Sequence, residues 1–346
     1  MPIPLGAQDL EATRRQNKML AYMPRVTLHG LQRTVMQGLM NFVGRFALAA
    51  LCKEGVSAEN RSVSALGRTA MVQIIRPPGK MCGVHIDIHG GGWTIGRAYM
   101  DGEMNAAMAK ENGVAVVSID YRLAPEVSFP DVLNDCETAA RWVLDEGLKE
   151  FGVDRVTLGG ESAGAHLAAV TLLRLRGKSH FEKIEGILLM YGCFDLGGTP
   201  SMHTAGSHTL LLHGPTLGKV IDIVTGGMSL ETRRHPAFSP LYADLKGLPP
   251  VLFVVGTADP LIDDSILMHE NWSSASGYAE LEVVPEAPHG FNRFDSSTAR
   301  KTNAYTRAWL GARFGVGKQN AFLNTPNGDI SRRVLSIADD MISYRG

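Results

Sequence analysis

From about residue 70 the chain alternates short apolar runs with longer amphipathic stretches. The runs cover residues 70–75, 83–88, 114–119, 155–158, 186–190, 251–255 and 281–284. Most are rich in Val and Ile and end at Gly, Asp or Pro, as buried strands do. Between them, residues 102–111, 134–150, 163–176, 263–276 and 297–314 carry helical spacing. Strands alternating with helices predict an α/β fold, with a mostly parallel central sheet covered on both faces.

Three regions break this rhythm. Residues 1–58 read as helix only, with Leu28, Leu31, Val35, Leu39, Phe42, Val43 and Phe46 spaced by threes and fours along one apolar face. Residues 196–240 read as loop and helix between two strands. Both are expected to form a helical cap over one end of the sheet; packing of 1–58 on a sheet face is the alternative. After the turn Pro326-Asn327-Gly328, apolar residues fall at Ile330, Val334, Ile337, Ala338, Met341 and Ile342. That stripe predicts an amphipathic helix packed on its own core, with a homodimer contact as the alternative. The expected organisation is therefore an N-terminal cap segment (1–58), a first core part (59–195), a cap insertion (196–240), a second core part (241–315) and a C-terminal extension (316–346).

Composition narrows the function classes. The chain has 346 residues, room for about two domains or one large α/β unit with an appendage. Lys plus Arg number 34 against 35 Asp plus Glu, so no basic field for nucleic acid exists. Four widely spaced cysteines, with no CxxC, argue against a zinc knuckle and a disulfide framework. The first residues contain no apolar signal region and no run of 18 apolar residues occurs. No membrane span is expected, and a cytoplasmic location with reduced thiols follows as the default.

The strongest chemical signal is Gly160-Glu161-Ser162-Ala163-Gly164, placed between the strand run 155–158 and the helical stretch 163–176. GxSxG is common alone and far more specific at a strand-to-helix junction. A nucleophilic serine must project from a tight turn, and flanking glycines remove side chains that would collide there. His89-Gly90-Gly91-Gly92-Trp93 follows another strand run. Backbone N–H groups aimed at a developing oxyanion are worth about 2.7–4 kcal/mol each, and glycines allow the necessary approach. A phosphate cradle is the competing use of such a loop, but no GKS or GKT sequence accompanies it.

A serine nucleophile needs a base, and the base needs an orienting acid. His289, in Ala287-Pro288-His289-Gly290-Phe291, follows the last strand run. Asp259, in Gly256-Thr257-Ala258-Asp259-Pro260-Leu261, follows the run 251–255. Both fall at carboxyl ends of strands, where α/β sheets place their sites. Asp263 and Asp264 are rival acids, read more simply as first-turn helix acids.

HGGGW (89–93), Asp120-Tyr121-Arg122-Leu123-Ala124-Pro125-Glu126, GESAG (160–164), Asp259-Pro260-Leu261 and Pro288-His289-Gly290-Phe291 occur in this order over residues 70–315. Together they resemble the hormone-sensitive-lipase-like family of α/β-hydrolases, in its bacterial esterase branch. The resemblance implies Ser162 as nucleophile, His289 as base and Asp259 as acid. It implies an oxyanion hole from the N–H groups of Gly90, Gly91 and Ala163, no cofactor, and small esters of short to medium acyl chain as substrates. A lipase on longer chains and a non-catalytic ligand receptor on the same fold are the alternatives; His289 argues against the receptor. Glu161 departs from the Asp or Thr common in that family, and a charged residue there needs a partner.

Other residues carry weaker signals. Trp93, Tyr191, Phe194 and Phe291 flank the catalytic segments, where pocket wall and core packing are both open readings. His85, Asp87 and His89 share one strand face, but no further ligand cluster supports a metal, and none is expected. His203, His208 and His213 read as polar cap loop. Cys193 reads as a small buried hydrophobe.

Overall fold

The strand periodicity resolves into one eight-stranded sheet. The structure, a computed structural model, describes residues 2–22, 28–53, 55–206, 209–212 and 214–316. The strands are β1 (Ser57–Ala65), β2 (Arg68–Arg76), β3 (Gly83–Ile88), β4 (Val114–Ile119), β5 (Val156–Glu161), β6 (Ile184–Met190), β7 (Val251–Gly256) and β8 (Ala279–Val284), in spatial order β1-β2-β4-β3-β5-β6-β7-β8. β2 is antiparallel to both β1 and β4; every pairing from β4 through β8 is parallel. Strands β3, β4, β5 and β7 are buried along their whole length. Their sequences are mostly apolar, as a sheet covered on both faces requires, and the buried polar side chains His85, Asp87, Ser118 and Thr157 bond to one another or to neighbouring groups.

The helices are α1 (Ala7–Ala21), α2 (Gly30–Lys53), α3 (Gly102–Asn112), α4 (Phe129–Trp142), α5 (Leu148–Phe151), α6 (Ala163–Leu175), α7 (Pro200–Thr204), α8 (Gly214–Val224), α9 (Leu230–Arg233), α10 (Ile262–Ser276) and α11 (Ser297–Arg313). Helices α4 and α6 pack with the sheet in the larger core, which also takes Met268 and Trp272 of α10. Helices α3 and α11 bury Ala106, Ala109, Trp309 and Leu310 in the core of the opposite face. Helix α1 docks on α11, where the hydroxyls of Thr13 and Thr298 meet at 2.8 Å and Lys301 pairs with Asp9 at 2.7 Å.

Two expectations from the sequence are corrected. Seven strand runs were expected and there are eight. β1, with the sequence SAENRSVSA, has only one fully buried residue, so no apolar alternation marks it. It is held by a two-residue hairpin, Leu66-Gly67, whose positive φ values of 55° and 70° match the twist of the strands it joins. The second correction concerns α2. Its apolar stripe faces solvent: Leu31 is 79% exposed and Phe46 62%, and Val35, Leu39, Phe42 and Val43 are exposed too. The polar side turns inward instead. Arg33 donates to the carbonyls of Thr94 and Ala124 and pairs with Glu126 at 2.5 Å. Gln37 bonds both the N–H and the carbonyl of Gly96. Only Leu28 of the stripe packs against the core.

Among the described residues no single helix is long and apolar enough to cross a membrane. The stripe from Ile330 to Ile342, and His208 and His213, lie outside the described residues. His203 sits exposed on α7.

Candidate active site

β5 delivers its chain directly into α6 through one strained residue. Ser162 lies at φ 55° and ψ −121°, an uncommon conformation for a residue with a side chain. Glycine is mandatory on both sides. A Cβ at Gly160 would sit 2.5 Å from the backbone of Gly164, and one at Gly164 would sit 1.9 Å from the carbonyl oxygen of Ile88. Ala163 opens α6, so its N–H belongs to the first turn, which has no intrahelical acceptor.

Three side chains from three strand ends converge here. His289 Nε2 lies 2.9 Å from Ser162 Oγ, and His289 Nδ1 lies 2.9 and 3.1 Å from the two oxygens of Asp259. Asp259 is sealed from solvent while the imidazole is 13% exposed. One Asp259 oxygen also accepts from the N–H of Leu261 at 2.9 Å, which fixes the carboxylate plane. With Nδ1–H donated to Asp259, the Nε2 lone pair faces the serine hydroxyl.

The glycine loop after β3 closes against this turn. A Cβ at Gly90 would lie 2.9 Å from the carbonyl oxygen of Glu161 and 3.5 Å from the Ser162 Cβ, so the backbones nearly touch. Gly91 has φ 115° and no room for a side chain beneath the carbonyl of Ile95. His89 donates Nδ1–H to the carbonyl of Gly90 at 2.7 Å and stacks on Tyr121, whose hydroxyl donates to the His89 carbonyl. Burial pushes the His89 imidazole below its ordinary range, so the ring is neutral. Above the loop, a Cβ on Gly92 would meet Leu28 at 2.8 Å and Val220 of α8 at 3.4 Å. Leu28 of the N-terminal segment and Val220 of the insertion after β6 therefore both approach the glycine loop.

Residues 120–126 act as scaffold. Asp120 accepts from Arg97 and from the N–H of Ala98, Arg122 pairs with Asp135, and Glu126 pairs with Arg33. A residue that sequence reasoning missed is His166 on α6. Its Nδ1 accepts from the indole N–H of Trp93 at 3.2 Å and its Nε2–H donates to the carbonyl of Phe238 at 2.7 Å. Burial lowers its pKa to about 4, which keeps both bonds intact at neutral pH. No sequence signal separates it from the apolar helix around it.

The rival acids stand apart from His289. Asp264 accepts from the backbone N–H groups of Phe194 and Asp195 and from Thr199, and Asp263 accepts from the N–H of Ser201. Burial pushes Asp264 up to about 7. The aromatic residues divide similarly. Trp93 and Phe194 are fully buried in the larger core and Phe291 in the smaller one, so they pack rather than line an open wall. Tyr191 is buried too, but its ring meets the His289 imidazole edge-on at 4.8 Å. Burial pushes the Cys193 thiol well above its ordinary range. Glu161 has its partner in Arg293 at 2.7 Å. His85 bonds Thr157 and Asp87 accepts from Asn105 and Ser118. Among the described residues no three His, Cys, Asp or Glu side chains are grouped to hold a metal.

Known proteins resemble this chain in sequence and in fold. A profile of the alpha/beta hydrolase fold family matches residues 85–293. An acetyl-hydrolase of Streptomyces hygroscopicus is 31% identical over 203 residues, 58% of this chain and 66% of that protein, just under two thirds of its length. Carboxylesterase NlhH of Mycobacterium tuberculosis is 32% identical over 248 residues, 68% of this chain and 76% of that protein. Among solved structures, esterase LipW from Mycobacterium marinum superposes with a TM-score of 0.77 at 27% identity, covering 88% of this chain and 98% of that one.

Proposed function

The chain belongs to the alpha/beta hydrolase fold family, in its hormone-sensitive-lipase-like branch, and from that premise we propose that it cleaves small carboxylic esters through an acyl-enzyme on Ser162. It is an enzyme of the carboxylic ester hydrolase class. The observation that carries the serine mechanism is the continuous relay from Asp259 through His289 to Ser162, with contacts of 2.9 Å at both joints.

In this reading Ser162 Oγ attacks the ester carbonyl carbon while His289 Nε2 takes its proton. Negative charge gathers on the former carbonyl oxygen, facing the N–H groups of Gly90, Gly91 and Ala163. Asp259 steadies the imidazolium that forms. The intermediate collapses, the carbon–oxygen bond to the alcohol breaks, and His289 returns the proton to the departing alkoxide. Water then attacks the acyl-enzyme by the same route and releases the carboxylic acid. Residues 1–58 and 196–240 act as the cap, a reading supported by the approach of both Leu28 and Val220 to Gly92.

The test is a panel of aryl esters with acyl chains of two to sixteen carbons. Turnover of the short and medium chains is expected, with a fall at the long end. A maximum at the longest chains would make the enzyme a lipase. No turnover of any chain by folded protein would return the receptor alternative.

A further inference from the structure

Glu161 precedes the nucleophile by one residue, and its carboxylate is filled by donors from elsewhere in the chain. Oε1 accepts from Asn292 Nδ2 at 2.7 Å. Oε2 accepts from Arg293 Nε and from the Tyr191 hydroxyl, each at 2.7 Å. Asn292 and Arg293 belong to the single turn Phe291–Arg293, which Gly290 opens at φ 69° directly after His289. Tyr191 completes the circle: its ring lies against His289 and its hydroxyl is also 2.5 Å from Asn292 Oδ1. Arg293 pairs with Asp101 as well.

This cluster answers a mechanical problem. Ser162 follows β5 and His289 follows β8, and β6 and β7 lie between them. At about 4.8 Å per strand the two loops start about 14 Å apart, beyond any ladder bond. The nucleophile turn and the base loop therefore need a tie of their own. Glu161 is covalently part of the first and hydrogen-bonded to the second.

We propose that Glu161 is a positioning residue: through Asn292, Arg293 and Tyr191 its carboxylate clamps the His289 loop to the nucleophile turn and holds Nε2 within bonding distance of Ser162 Oγ. The role rests on the acyl-transfer reading of Ser162, His289 and Asp259. Its removal leaves no orphan cation, because Arg293 keeps Asp101. A cavity of about 70 Å³ behind Glu161, lined by Asp87, Asp101 and Asn303 among others, gives water room to replace the lost oxygens.

The experiment compares Glu161→Gln, Glu161→Ala and Asn292→Ala with the unaltered enzyme. It reads kcat and KM on a short aryl ester, the rate of Ser162 phosphonylation by a fluorophosphonate, and the melting temperature. Loosening the base loop should lower kcat by about tenfold for Gln and up to about a hundredfold for Ala, with KM unchanged. Phosphonylation should slow in parallel, because it too needs His289 to take the serine proton. The Glu161→Ala, Asn292→Ala double variant should lose little more than Glu161→Ala alone, since both act through one tie. A lowered melting temperature with kcat and phosphonylation intact would reduce Glu161 to a brace and overturn the proposal. So would an effect confined to KM, or full additivity in the double variant. Should Glu161→Ala fail to fold, Glu161→Gln and Asn292→Ala decide the matter. Ser162→Ala, run alongside, separates the two readings: activity surviving there removes the acyl-transfer mechanism, whereas an inactive Ser162→Ala beside fully active Glu161 variants removes only the positioning role.

Discussion

Helix α6 starts at the nucleophile turn and α2 lies against the segments that follow β3 and β4, and the two attach in opposite ways. α6 is buried on almost every side and inserts Leu167, Val170 and Leu172 into the larger core. α2 carries an equally regular apolar stripe and turns it to solvent, gripping residues 94–99 and 124–126 with Arg33, Gln37 and Asn41. Helical periodicity shows which side chains share a face. It does not show which way the face points, because that depends on what the neighbouring backbone offers. Here Thr94, Gly96 and Ala124 offer backbone carbonyls and an N–H group, and a polar face satisfies them where Leu and Phe could not.

The largest effect should come from the rigid side of this contrast. Ser162→Ala should leave the fold intact and lower kcat on an aryl ester by about 10⁶; a variant keeping a tenth of the activity would remove Ser162 from the mechanism. Asp259→Asn comes next, at about 10⁴ in kcat, because His289 loses the partner that sets its tautomer. Asp264→Asn should be far milder, since that carboxylate holds the segment after β6. A loss at Asp264 equal to that at Asp259 would mean that the wrong acid has been chosen.

Stability should divide along the same line. Phe253→Ala, in the core, should cost about 3–5 kcal/mol in denaturant unfolding. Phe42→Ala, on the exposed face of α2, should stay within about 0.5 kcal/mol. Equal losses would show that this face is covered in solution. The smallest effect is one of pH. Lys301, Ser297 and the Gly6 N–H hold Asp9 down at about 2, below its ordinary 3.8. A depressed carboxyl contributes stability above its unfolded pKa and loses it as pH falls through the folded one. Hydrogen-exchange protection of α1 should therefore persist above about pH 4 and fade toward pH 2. Asp9→Asn should flatten that dependence, and an unchanged profile would mean that another group anchors the helix.

Much of the fold was legible because most of the buried parallel strands are short runs dominated by Val, Ile and Leu. β3 and β4 match their sequence runs to the residue. β1 was not legible, since an edge strand with charged residues has no apolar period to betray it. The relay could be named because each member stands in a turn motif that constrains its neighbours. The partners of Glu161 could not, because Tyr191 and Arg293 are 30 and 132 positions away and only the packing of loops brings them together. Trp93, Phe194 and Phe291 show the same limit: the aromatic residues of a pocket wall and those of a core read alike in sequence.

The polar attachment of α2 also sets how the region over the site responds to temperature. Contacts made by burying hydrocarbon carry a large heat-capacity change and weaken on cooling. Arg33 and Gln37 hold α2 by hydrogen bonds and an ion pair, and its apolar face is already in water. Leu51, near the far end of the helix, is buried in the smaller core, but releasing the turns around Arg33 and Gln37 uncovers their polar contacts, whose hydration lowers heat capacity rather than raising it. The docked state of the α2 turns around Arg33 and Gln37 should thus keep its population in the cold, while the stability of the sheet beneath it follows the usual curve with a maximum.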